Sequence, residues 1–134
     1  MTPTFPDPVR VLLVDDSDSM IQRAAAVLAP ECVVVGTAHN GADALDAVGT
    51  LRPDVVVLDI SMPGMTGLQV ASTLRHQGSN AAVVFLTVHD DRDFVAAAQE
   101  AGGTGYVVKR RLALDLIVAV QEAHAGRSFV SVLS

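Results

Sequence analysis

The sequence predicts an α/β domain, a parallel twisted sheet with helices packed on both of its faces. Three observations point to it. Short runs of Val and Leu without polar alternation suit strands buried on both faces. The segments between them carry apolar residues at helical spacing. The two kinds of segment alternate five times along the chain, and such an order calls for parallel strands joined by right-handed crossovers. With 134 residues the chain has the size of one ordinary domain, long enough to bury a core without staples.

The elements follow in order. Pro3, Pro6, Asp7 and Pro8, with no basic region or long apolar stretch, make residues 1–8 a flexible lead-in and not a signal peptide. Val9 to Val14 is the first strand. Ser17, Asp18 or Ser19 can cap a helix with Ile21, Ala24, Ala25 and Leu28 on one face, stopped by Pro30. Val33 to Val35 is the second strand. After Asn40 and Gly41, the positions Ala42, Leu45, Val48 and Leu51 make the second helix, closed by Pro53. Val55 to Ile60 is the third strand, and Val70, Ala71 and Leu74 form the stripe of a helix between Gly67 and Gly78. Ala81 to Thr87 is the fourth strand. From Asp91, Phe94, Val95, Ala98 and Ala101 repeat at helical spacing until Gly102 and Gly103. Tyr106 to Val108 is the fifth strand. Leu112, Leu116, Ile117, Val120 and Ala123 mark the last helix, stopped by Gly126. The domain therefore runs over 9–127, and 128–134 is a tail or the start of a linker. There is no internal repeat and no second domain.

Composition narrows the function. The net charge of −6 repels phosphate backbones, so the chain alone is not expected to bind nucleic acid. No apolar run reaches the ~20 residues that a membrane-spanning helix needs. The lone Cys32 makes neither an intrachain disulfide nor a zinc site and reads as a core residue rather than a redox sensor. A reducing, cytoplasmic setting fits.

In open parallel sheets, working residues gather at the carboxyl ends of the strands. The first strand ends in Asp15 and Asp16, the third in Asp59, the fourth in Thr87 and the fifth in Lys109. Asp15 and Asp16 by themselves read as a helix start at the positive end of its dipole. Asp59 is harder to treat so, because a carboxylate ending a strand of Val and Leu needs partners. Three carboxylates at one edge repel one another unless a cation joins them or a proton is taken up. A hard divalent ion answers this, and Mg²⁺ also favours phosphate as a ligand. Lys109 could neutralise one phosphoryl oxygen and Thr87 could donate a hydrogen bond to another. Taken singly, Thr87 is a strand residue and Lys109 a surface charge; together at consecutive strand ends they suggest phosphoryl chemistry.

The stretches Val-Asp-Asp-Ser at 14–17, Asp-Ile-Ser-Met-Pro-Gly-Met-Thr-Gly at 59–67, Leu-Thr-Val-His-Asp-Asp at 86–91 and Gly-Tyr-Val-Val-Lys at 105–109 resemble the response-regulator receiver family of two-component signalling. The resemblance covers nearly the whole chain. It implies a flavodoxin-like, doubly wound, five-stranded parallel sheet of order 2-1-3-4-5. It also implies that Asp59 accepts a phosphoryl group from phosphohistidine on a histidine kinase or phosphotransfer protein. Mg²⁺, with Mn²⁺ as a substitute, would be held by Asp15, Asp16, Asp59 and the backbone carbonyl of Ser61. Thr87 and Lys109 would bind phosphoryl oxygens, and Tyr106 would be the switch aromatic that follows Thr87. The output would be a changed surface around the fourth helix, fifth strand and fifth helix, controlling a partner, with transcription as the process. The absence of proline after Lys109, and Ala-Gly-Arg-Ser-Phe-Val-Ser at 125–131, resemble receivers attached to LuxR-type helix-turn-helix domains. The chain is then either a stand-alone receiver or one cut from a longer regulator. Ala- and Val-rich faces on the last two helices suit a phosphorylation-promoted homodimer.

Two other classes compete. A phosphatase-like hydrolase with an Asp nucleophile would want a second acid two residues on, where this chain has Ser61. A flavodoxin-like cofactor carrier would need a phosphate-cradling loop after the first strand, where Asp15 and Asp16 repel a phosphate. His39, His76, His89 and His124 are too scattered for a metal cluster. His89 reads as a solvated loop residue, Arg110 and Arg111 as a solvated helix start, and Met62, Pro63 and Met65 as packing. The bond after Lys109 should be trans, since a cis bond before a non-proline residue costs about 2.5–4 kcal/mol.

Overall fold

The structure, a computed structural model, describes residues 7–88 and 92–131. The start of the lead-in, residues 89–91 with His89 among them, and the last three residues of the tail lie outside these. The order is β1 (Val9–Val14), α1 (Asp18–Leu28), β2 (Cys32–Ala38), α2 (Gly41–Leu51), β3 (Val55–Asp59), α3 (Gly67–His76), β4 (Ala82–Thr87), α4 (Arg92–Glu100), β5 (Gly105–Val108), a 3-10 turn (Lys109–Arg111), α5 (Leu112–His124) and β6 (Phe129–Val130).

The sheet runs β2-β1-β3-β4-β5-β6, and all its pairings are parallel. The five expected strands take the expected order. A sixth is added where the sequence shows only a tail: Phe129 and Val130 pair with Gly105 and Tyr106. Two residues carry no periodicity, so β6 has no signal of its own. β2 is also longer than its apolar run. Gly36 and Thr37 interrupt that run, but an edge strand with one partner tolerates them, and a register shift at this point absorbs one extra residue against β1.

Alternation along the strands sorts the core into two layers. Val11, Leu13, Val55, Val57, Val84, Leu86 and Val107 point to the face covered by α1 and α5. Leu12, Val14, Val56, Leu58, Phe85 and Tyr106 point to the face covered by α2, α3 and α4. Side chains on the central strands are buried whichever way they point, which explains the unbroken Val and Leu runs. Local chemistry starts three of the helices. The side chain of Ser17 caps α1, Asn40 caps α2, and Thr66 and Gln69 form a reciprocal capping box on α3. No helix among the described residues is long and apolar enough to cross a membrane. The Lys109–Arg110 bond is trans, as expected.

At the opposite edge from the strand ends, Arg10 closes α2. Its guanidinium donates to the carbonyls of Leu51 and Arg52 at 2.7 Å each, while its backbone N–H donates to Asp54 Oδ2 at 2.9 Å. Arg52 itself sits in the left-handed region, at φ 47°. Two opposite outcomes follow for urea unfolding. Arg10→Met removes two charge-assisted bonds and lowers stability by about 1–2 kcal/mol. Arg52→Gly relieves the left-handed strain and raises it by about 0.5–1 kcal/mol. Unchanged midpoints in both variants would show that this clamp does not hold the helix end.

Candidate functional site

Asp15 and Asp16 directly follow β1, Asp59 ends β3, Thr87 ends β4, and Lys109 follows β5. The topology brings these ends together because β1 pairs with β3, β3 with β4 and β4 with β5. Oxygens of Asp15, Asp16 and Asp59 all lie within 4.8 Å of one another. Lys109 reaches in from the other side, with Nζ 3.2 Å from Asp15 Oδ2 and 3.5 Å from Asp59 Oδ2. Asp15, Asp59 and Thr87 are buried, whereas Asp16 is exposed.

Backbone geometry sets the two buried carboxylates. Asp15 Oδ1 accepts the Ser17 N–H at 2.9 Å, and Asp59 Oδ1 accepts the Ser61 N–H at 3.1 Å. The loop after Asp59 folds back tightly: the Gly67 N–H donates to the Ile60 carbonyl at 2.9 Å. A Cβ on Gly67 would press on the Asp59 carbonyl oxygen and come within 2.8 Å of Ile60 Cα. Glycine is therefore required there by space. Ser61 is exposed on this loop, and Met62 is buried beneath it as packing.

The electrostatics are unbalanced. Among the described residues, one ammonium faces three carboxylates. Asp15 Oδ2 is buried and accepts no hydrogen bond among the described residues, and the nearby Lys109 ammonium supplies charge without a bond of good geometry. A buried, unbonded carboxylate oxygen beside two further carboxylates suits an oxygen-seeking cation. Burial pushes the Asp59 carboxyl up to about 6. The Asp15 charge pushes the same way, while Lys109 and the Ser61 N–H hold it back.

Tyr106 is buried in the layer that also holds Phe85. It lies in register with Phe85 on β4, two residues before Thr87. Of the histidines, His39 pairs with Asp18 at the exposed rim near β1 and β2, and His76 caps its own helix through the Ser72 carbonyl. Cys32 is buried, and burial pushes its thiol up, away from reactivity.

Sequence reasoning missed a second polar group. Asp115 in α5 is buried, and it binds Arg111 and Ser131. The four-residue spacing of Arg111 and Asp115 was a readable signal. Ser131 gave none.

Comparisons with known proteins identify the family and the fold. The family of response regulator receiver domains matches residues 11–121. The nitrate/nitrite response regulator protein NarL of Escherichia coli is 32% identical over 127 residues, covering 93% of this chain and 59% of that protein. The signal receiver domain of NarL from Mycobacterium tuberculosis superposes with a TM-score of 0.86 at 33% identity, covering 91% of this chain and all of that one. A LuxR-family two-component response regulator from Aurantimonas superposes at 0.88 with 29% identity, covering 93% and 91%. The chain belongs to the response regulator receiver domain family. It spans less than two thirds of the length of curated relatives such as NarL.

The raised Asp59 pKa has a consequence for stability. A carboxyl more easily protonated when folded than when unfolded costs nothing below both values. The cost grows as pH rises from the ordinary 3.8 to about 6, then stays constant. In metal-free buffer Asp59→Asn, which keeps the shape without the charge, should stabilise the fold at pH 7.5. The gain is on the order of 1–2 kcal/mol after screening, read as a melting temperature higher by several degrees. It should fade towards pH 4. Equal melting curves at pH 7.5 would mean that the trio carries no such strain.

Proposed function

We propose that this chain is a phosphorylation-controlled switch that takes one phosphoryl group onto Asp59 from a histidine kinase or phosphotransfer protein. The observation that carries the reading is the meeting of three carboxylates and one ammonium at the carboxyl edge of the sheet. Mg²⁺, or Mn²⁺ in its place, would be held by Asp15, Asp16, Asp59 and the Ser61 carbonyl. When bound, it supplies charge neutralisation, letting an anionic donor approach an acidic pocket.

The protein's own residues do the rest. A carboxylate oxygen of Asp59 attacks phosphorus, the phosphorus–nitrogen bond of the phosphohistidine breaks, and the imidazole leaves and takes up a proton. Lys109, already beside Asp59, neutralises a phosphoryl oxygen, and the Thr87 hydroxyl donates to another. Hydrolysis later returns phosphate and the free carboxylate. The chain assists both steps as a signalling switch, carrying one phosphoryl group at a time, and not as an enzyme built for repeated turnover. The exposed Ser61, two residues past Asp59, offers no second acid for a phosphatase cycle.

Tyr106 and Thr87 form the switch. The buried ring of Tyr106 represents one of its two positions, and drawing Thr87 towards the phosphoryl group favours it. The response is a changed surface on α4, β5 and α5. The longer relatives of LuxR type support transcription as the process controlled, with DNA contacts made outside this acidic chain. A cytoplasmic setting and a phosphorylation-promoted homodimer complete the reading, with the receiver starting at 9 and running past the expected end at 127 to take in β6.

Acetyl phosphate with Mg²⁺ should add one phosphoryl group by intact mass, and none in excess chelator. Asp59→Asn should gain nothing; labelling equal to wild type would place the acceptor elsewhere. Thr87→Ala should still be labelled, while the amide shifts around Tyr106 respond less than in wild type. A full response would uncouple Thr87 from Tyr106. Beryllofluoride should raise the mass seen by sedimentation, and an unchanged mass would remove the dimer from the reading.

A further inference from the structure

Lys109 opens the 3-10 turn Lys109–Arg111, and both ends of that turn are held from outside the pocket. At its start, the Val108 N–H donates to Ser131 Oγ at 3.1 Å. At its end, the Arg111 guanidinium grips Asp115, with Nε 2.8 Å from Oδ2 and Nη2 3.4 Å from Oδ1. The Ser131 hydroxyl closes the circuit by donating to Asp115 Oδ2 at 2.7 Å. Asp115 is 7% exposed and Ser131 2%. A carboxylate and a hydroxyl this deeply placed tolerate little displacement, because each lost bond leaves a buried polar group unpaired.

The same residues hold the C-terminal strand. The Ser131 N–H donates to the Tyr106 carbonyl at 2.8 Å and the Phe129 N–H to the Thr104 carbonyl at 3.0 Å. Ser131 thus joins three things: the backbone just before Lys109, the carboxylate of α5, and the docked β6. Burial alone would raise the Asp115 carboxyl, but the hydrogen bonds from Arg111 and Ser131 and the Arg111 charge bring it below its ordinary value. The cluster therefore binds the charged form.

We propose that Asp115 and Ser131 are positioning residues for Lys109, and that through them the placement of Lys109 and the docking of β6 are coupled. The proposal rests on the role given to Lys109 above. If docked β6 favours the pocket-facing turn, a filled pocket must favour docked β6 by the same free energy. Pocket occupancy would then reach the strand by which the chain leaves the domain, along bonded contacts and not only through the helix surfaces.

Two measurements test this from opposite ends. Ser131→Ala and Asp115→Ala should slow acetyl phosphate labelling of Asp59 at saturating Mg²⁺ by about threefold to tenfold, the cost of a slightly misplaced charge. Asp115→Asn keeps an acceptor for the Ser131 hydroxyl and should recover most of the rate. In the wild-type protein, Mg²⁺ and beryllofluoride should slow hydrogen exchange at the Phe129 and Ser131 amides, while amides of the opposite edge strand β2 stay unchanged. This second measurement needs no variant and holds even where an alanine substitution fails to fold. Wild-type labelling rates in a folded Ser131→Ala protein, or β6 exchange indifferent to the pocket, would overturn the coupling. Failure of the wild-type protein to take up phosphate would instead overturn the reading of Asp59.

Discussion

Three carboxylates and one ammonium share the carboxyl edge of the sheet, and much of the rest of the structure exists to keep them there. Each pair of like charges at such distances is unfavourable, more so where water is scarce. A flexible chain would let them part. Here Asp15 and Asp59 end neighbouring buried strands, and each is tied to a backbone N–H two residues further on. The chain therefore cannot relieve the repulsion by moving, and relief must come from a proton, from Lys109 or from a cation.

That rigidity comes from the two-layered core. Every central strand buries both of its faces, so a shift of β1 against β3 would disturb packing on both sides at once. The turn after β3 adds a constraint of space. Gly67 lies so close to the Asp59 carbonyl and Ile60 that any side chain would push the loop outward. The acidic edge is held by apolar packing below and by a glycine contact beside it, while Asp16 and Ser61 stay open to solvent.

The β5 side is built differently. β5 has only four residues, and its outer neighbour β6 has two. So short a strand pair gains little from ladder hydrogen bonds. The Arg111–Asp115–Ser131 cluster supplies the missing fixity with charge-assisted bonds. This is the side that carries both Tyr106 and Lys109. A region secured by a few specific bonds, and not by broad apolar contact, is suited to having two arrangements of similar energy.

Sequence alone determined the alternation of strands and helices, most of the element boundaries and the identity of the strand-end residues. Those features are local: runs of Val and Leu, helical spacing, caps such as Asn40, and breakers such as Pro30. The family resemblance added the strand order, which the sheet follows. Tertiary structure alone decided the features that depend on partners distant in the chain. β2 runs on through Gly36 because β1 pairs with it, and β6 exists because β5 lies beside it. Asp115 went unmarked in the sequence, where only the apolar positions of its helix stood out. Its partner Ser131 lies 16 residues away, beyond a turn. A buried hydrogen bond leaves no periodic trace in a sequence, whereas burial of an apolar face does, which is why the core was legible and the polar cluster was not.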